Sequence, residues 1–135
     1  MQGAEVRLFL IALLSVSIVT SSHIVFALSI EDAIKVMAIE IQKTVPQRLS
    51  DNVTLSQASY INNILMLTYT VRGEKHILSP YLEKIKSQSI LEKSSSLCSV
   101  RDSRWVLDNG GIYSFQFISS NAEFLFAFDI SKINC

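Results

Sequence analysis

Two cysteines, two histidines and a few spaced carboxylates are the side chains of this 135-residue chain whose types could do chemistry. A Ser/His/Asp triad would have to use His76, in the stretch Glu74-Lys75-His76-Ile77, and nothing near it reads as a nucleophile elbow. His76 therefore reads as a solvated loop histidine, and His23 falls in a hydrophobic leader. One remaining histidine and a paired set of cysteines leave no transition-metal constellation. Asp102 with Asp108, or Glu123 with Asp129, could be imagined as an acid/base pair, but carboxylates this sparse are ordinarily solvated surface. Gly110-Gly111 follows no strand-to-helix phosphate signature, and the chain has four glycines in all. The expectation is a protein with no catalytic residues, no metal and no small-molecule cofactor. Asn52-Val53-Thr54 matches a glycosylation sequon, which matters only on a eukaryotic secretory route.

The cysteines themselves point to a compartment. An exported chain meets an oxidising environment, where an even cysteine count reads as bonded, and only Cys98 with Cys135 can pair. A redox-active thiol pair would favour a C-x-x-C spacing, which is absent.

Export is read from the N-terminus. Leu8 to Val19, LFLIALLSVSIV, is apolar apart from two serines, with Arg7 ahead of it. Thr20-Ser21-Ser22-His23 breaks the run, and Val25 and Ala27 fit the small-residue positions before a cut at Leu28. Residues 1–27 thus read as a signal peptide and 28–135 as a single domain, periplasmic or secreted and free of the membrane after cleavage. The competing reading is an uncleaved inner-membrane anchor over residues 8–27, about one bilayer thickness. A lipoprotein signal would need a cysteine at the cut. With 12 basic and 12 acidic residues the net charge is zero, which excludes a broad nucleic-acid-binding face and a polybasic membrane patch. The mean hydropathy of +0.33 comes largely from the leader.

The elements that would position any site follow from periodicity. Ser29 to Val45 predicts a helix capped by Ser29 and stopped by Pro46, with Ile30, Ala33, Ile34, Met37, Ala38, Ile41 and Val45 on one stripe. Val53–Tyr60 and Ile64–Val71 alternate like strands around Asn62-Asn63, a hairpin whose Leu65, Leu67, Tyr69 and Val71 share a face. Ser79-Pro80 predicts the start of a second, peripheral helix fading through Ser94-Ser95-Ser96, with a short turn of helix over 102–107. Tyr113, Phe115 and Phe117, then Phe124, Phe126, Phe128 and Ile130, predict a second hairpin whose aromatic stripe is core. The fold class is α+β: an N-terminal helix on a four-stranded antiparallel sheet, in helix-hairpin-helix-hairpin order, with one disulfide.

The C-terminal third reads Cys98-Ser99-Val100-Arg101-Asp102, then Trp105-Val106-Leu107, Gly110, Ile112-Tyr113-Ser114-Phe115, a second strand and Cys135. This stretch resembles small disulfide-bonded bacterial envelope proteins, and its plan is similar to that of type II secretion pilotins of the AspS kind. The resemblance implies an N-terminal helix on an antiparallel sheet, a Cys98–Cys135 bond and a domain that grips a secretin's C-terminal segment. This chain departs from the pilotins in lacking a lipobox cysteine, which speaks for a soluble relative in the same compartment.

The function expected is an exported, non-enzymatic binding or accessory protein of the cell envelope, pilotin-like and assisting a secretion or pilus assembly. Its partner would be a protein, a secretin-like segment or another envelope protein, met through a helix–sheet groove or an edge strand. Val36 and Ile39, apolar residues off the helix stripe among Lys35, Glu40 and Lys43, are the candidate partner-binding residues. The alternative is a secreted inhibitor or immunity-type protein that plugs an enzyme with a loop, from Arg72 to Ile77 or from Ser119 to Glu123.

Overall fold

The computed structural model describes residues 29–135; the signal peptide expected over residues 1–27 lies outside them. Helix α1 runs Ile30–Gln42. Its first turn is closed by Ser29, whose Oγ accepts from the Asp32 N–H at 3.1 Å, and Glu31 and Asp32 complement the positive end of the dipole. Ala33, Ile34, Met37, Ala38 and Ile41 are all buried, as the stripe predicts. The helix ends three residues earlier than expected. The Thr44 hydroxyl donates to the Ile41 carbonyl at 2.7 Å, and the residue before a proline is pushed out of helical conformation, so the turn containing Val45 cannot form.

Strand β1, Gln47–Arg48, is a two-residue edge too short to leave a periodic signal. It pairs antiparallel with β2, Val53–Ile61, which pairs antiparallel with β3, Ile64–Val71. Asn62 takes a φ of 52°, the left-handed conformation that the two-residue turn requires. Leu65, Leu67, Tyr69 and Val71 are buried on one face.

From β3 the chain crosses through helical segments: α2 at Lys75–Leu78, a 3-10 turn at Ser79–Tyr81, α3 at Leu82–Ser99 and α4 at Arg101–Asp108. The second helical segment therefore begins before Ser79-Pro80, and Ser79 donates its hydroxyl to the Lys75 carbonyl instead of capping a new helix. α3 buries only Lys93 and Leu97, which makes it peripheral as expected.

β4, Ile112–Ile118, pairs parallel with β3 and antiparallel with β5, Phe124–Ile130. The sheet is thus five-stranded and mixed, in the order β1-β2-β3-β4-β5, and the expected four-stranded antiparallel sheet is corrected. The reason is the crossover. A helical connection of this length returns the chain to the end from which β3 started, so the next strand runs in the same direction.

The aromatic stripe is core, with one exception. Phe115, Phe117 and Phe126 are buried and Phe128 packs against them; ring centroids lie 4.5 Å apart for Phe117–Phe126 and 5.1 Å for Tyr69–Phe117. Such pairs contribute about 0.5–1.5 kcal/mol each beyond the area they bury. Phe124 is exposed. The register passes from Phe117↔Phe126 to Ile118↔Phe124, so Leu125 is an extra residue and Phe124 turns to the opposite face.

α1 lies across β2 and β3, while α3 lies against β5 and α4. Both helices share one core with the inward residues of the sheet. Cys98 and Cys135 form the disulfide, with Cα atoms 5.5 Å apart, and closing this 37-residue separation contributes about 4 kcal/mol in the loop-entropy picture.

Candidate functional site

The flank of α1 and the outer half of β2 leave an open groove of about 620 Å³. Ala38, Ile39, Gln42 and Lys43 form its helix side, and Ala58 and Tyr60 its sheet side. Helical spacing builds the helix wall: with Ala33, Ile34, Met37, Ala38 and Ile41 turned to the core, Ile39 and Gln42 fall on the flank beside the sheet edge. Ile39 is 44% exposed and Tyr60 42%. The Gln42 Oε1 accepts from the Ala58 N–H at 2.8 Å, which ties the helix to the strand across the floor of the groove. Lys43 Nζ meets Glu40 Oε1 at 3.0 Å on the helix surface, an exposed pair of small energetic weight. The groove can hold an apolar side chain beside polar and cationic groups; it holds no acid–base pair.

Of the two candidate residues read from the sequence, Ile39 lines this groove. Val36, half-buried, sits three residues earlier on the side of α1 turned away from the core stripe and is not among the lining residues. Gln42 and Tyr60 were not anticipated. A glutamine on a helix flank and a tyrosine at an inward strand position carry no signal of a groove until the strand edge beside them is known to be open.

The other candidates lie apart. His76 Nδ1 is 3.2 Å from Glu74 Oε2, with both side chains mostly exposed. Asp108 Oδ1 accepts from Arg104 Nε at 2.9 Å on the surface of α4, and Glu123 Oε1 accepts from the Asn121 amide. Among the described residues no group of three His, Cys, Asp or Glu side chains could hold a metal ion. The two loops considered for plugging an enzyme meet at one end of the sheet, where the Ser120 N–H and hydroxyl both donate to the Gly73 carbonyl, at 3.0 and 2.9 Å.

One buried titratable cluster went unread. Lys93 is 9% exposed, and its ammonium lies 4.8 Å from the Tyr69 ring centroid and 5.5 Å from that of Phe115. Burial lowers its pKa to about 7. Burial also raises Tyr69 and Tyr113, the latter helped by the negative charge of Asp102. In the sequence Lys93 is one more lysine beside Ser94-Ser95-Ser96, a composition that reads as surface.

Helices on one face of a mixed sheet, with a disulfide closing the C-terminal third, give a fold similar to that of type II secretion pilotins. The pilotin EpsS of Vibrio vulnificus superposes with a TM-score of 0.65 at 15% identity, covering 78% of this chain and 91% of its own. The pilotin AspS of Vibrio cholerae gives 0.61 at 18% identity, covering 78% and 92%. A protein of Pseudomonas aeruginosa described as secreted gives 0.65 at 17%, covering 78% and 92%. The likeness thus extends well beyond the C-terminal third in which the sequence resemblance lies. No family model and no curated relative matches the chain. No helix among the described residues is long and apolar enough to cross a membrane.

Proposed function

We propose that this chain is an exported, non-enzymatic accessory protein of the bacterial envelope that binds a secretin-like segment and so assists assembly of a secretion or pilus machine. The likeness of fold to two pilotins over 78% of the chain carries this reading. The groove beside Ile39 supplies a recessed, partly apolar surface of the kind a partner segment buries. Val36 extends the contact along the helix. Residues 1–27 carry the chain across the inner membrane and are removed before Leu28, which leaves a soluble domain that meets its partner in the periplasm.

The test is recovery of the secretin subunit encoded by the same genome on immobilised protein, with Val36→Glu and Ile39→Glu as the variants. The expected result is a loss of at least about tenfold in recovered secretin for Ile39→Glu, with both variants folded by circular dichroism. Undiminished recovery by the double variant removes this surface from consideration. N-terminal sequencing of periplasmic protein checks the cut, with Leu28 expected as the first residue.

A further inference from the structure

Only half of β2 is covered on its outer side. β1 pairs Gln47 with Leu55 and Arg48 with Thr54 and goes no further; Pro46, the next residue back, has no N–H with which to extend the ladder. From residue 57 to 61 no strand lies beyond β2 among the described residues. The two-residue turn makes Ile61↔Ile64 the hydrogen-bonded pair next to it, so Ile61 and Ser59 exchange bonds with β3 while Ala58 and Tyr60 direct their backbone groups to the free edge. The Gln42 bond confirms that direction. A side-chain carbonyl, 16 residues away in sequence, accepts from the Ala58 N–H where a neighbouring strand's main-chain carbonyl would stand.

We propose that this edge accepts a short extended segment of a partner protein as a sixth strand, with Gln42 as the stand-in that the segment displaces. The Ala58 carbonyl and the Tyr60 N–H and carbonyl are the groups that the added strand would pair. A helix laid in the same groove has its own backbone bonds satisfied and would leave all three unused. The side chains that a strand turns toward α1 would meet Ile39 and Tyr60, so alternate apolar residues are required. Lys43 is the charged side chain lining the groove, and its exposed pair with Glu40 is of small energetic weight, so an acidic group of the segment would take the place of Glu40 at that end. The inference rests on the partner-binding reading above and adds the conformation and chemistry of what is bound.

The experiment uses the domain from residue 28 and two synthetic octapeptides that alternate valine and serine and end in glutamate, one of them N-methylated at every second amide. Backbone amide resonances are followed as each peptide is added. Saturable shifts confined to Ala58, Ser59, Tyr60, Ile61 and the facing residues of α1 are expected, with binding at least about tenfold weaker for the N-methylated copy. Gln42→Ala, which leaves the Ala58 donor without its competitor, is expected to tighten the unmodified peptide by about threefold. Equal binding of both peptides would show a groove filled by side chains alone; strand addition then fails and the accessory reading stands. Shifts at Ala58 to Ile61 that grow with protein concentration in the absence of peptide would make a second copy the occupant, and overturn the proposal. Absence of shifts at this edge at millimolar peptide also overturns it, whatever the secretin recovery experiment shows.

Discussion

The ammonium of Lys93 lies 4.8 Å from the centroid of the Tyr69 ring, so the C-terminal half of α3 meets the sheet through a cation over aromatic faces. That attraction is worth about 2 kcal/mol or more when desolvated, and the lowered pKa means that the burial cost exceeds it.

Stability therefore depends on pH through this residue. Between about pH 7 and the ordinary lysine value of 10.5, the unfolded chain keeps a proton that the folded chain has released, so stability rises with pH. The slope approaches about 1.4 kcal/mol per pH unit. Below pH 7 both states hold the proton and this dependence ends. Above pH 10 the buried Tyr69 and Tyr113, raised by burial, act with the opposite sign. Urea midpoints at half-unit steps from pH 6 to 9 should climb from 7 upward, and Lys93→Met should flatten the climb; a climb that persists in the variant refutes the assignment.

Gly111 opens β4 against α4. A Cβ there would stand 2.9 Å from the Val106 carbonyl oxygen and closer still to the Val106 Cγ1, with the Ile34 Cδ1 at 3.2 Å. Backbone cannot yield as a flexible side chain does, so Gly111→Ala should cost about 1–3 kcal/mol. The neighbouring Gly110 has open space around its Cβ position but a φ of +88°, so Gly110→Asn should be tolerated far better than Gly111→Asn. Paired thermal melts decide the order.

Replacing Cys98 and Cys135 together by serine should lower stability by up to about 4 kcal/mol, and dithiothreitol should bring the wild-type protein to a similar midpoint. Denaturation with and without reductant measures both.

Ile34→Ala and Ile39→Ser should separate folding from recognition. Ile34 is fully buried in the α1–sheet core, and its truncation should cost about 2–5 kcal/mol. Ile39 is 44% exposed, so its change should stay within about 0.5 kcal/mol of wild type. A large loss at Ile39 would mean that it belongs to the core, and that lowered binding there reports misfolding.

The features that could be read ahead of the structure were those written in local pattern. The Ser29 cap, the α1 stripe, the Asn62-Asn63 turn and the pairing of the cysteines each depend on residues a few positions apart or on a simple count. What stayed hidden depends on which strands become neighbours. Nothing in the alternation of Ile64–Val71 and Ile112–Ile118 says that they run parallel, since pairing direction is set by the connection. The bulge that turns Phe124 outward shifts a regular-looking aromatic run by one residue. The groove was half legible: Ile39 stood out as apolar beyond the stripe, while Gln42 and Tyr60 gain meaning only once β1 is seen to stop at Gln47.

The Cys98–Cys135 bond makes α4, β4 and β5 parts of one covalent ring. Tension applied between Ser29 and Cys135 passes through the bond and bypasses the ring's interior. The fully stretched oxidised protein should therefore be shorter than the reduced one by about 130 Å, the contour of 37 residues. A translocating unfoldase that pulls on Cys135 with the bond intact would draw in three chain segments abreast, those that continue from residues 134, 99 and 97.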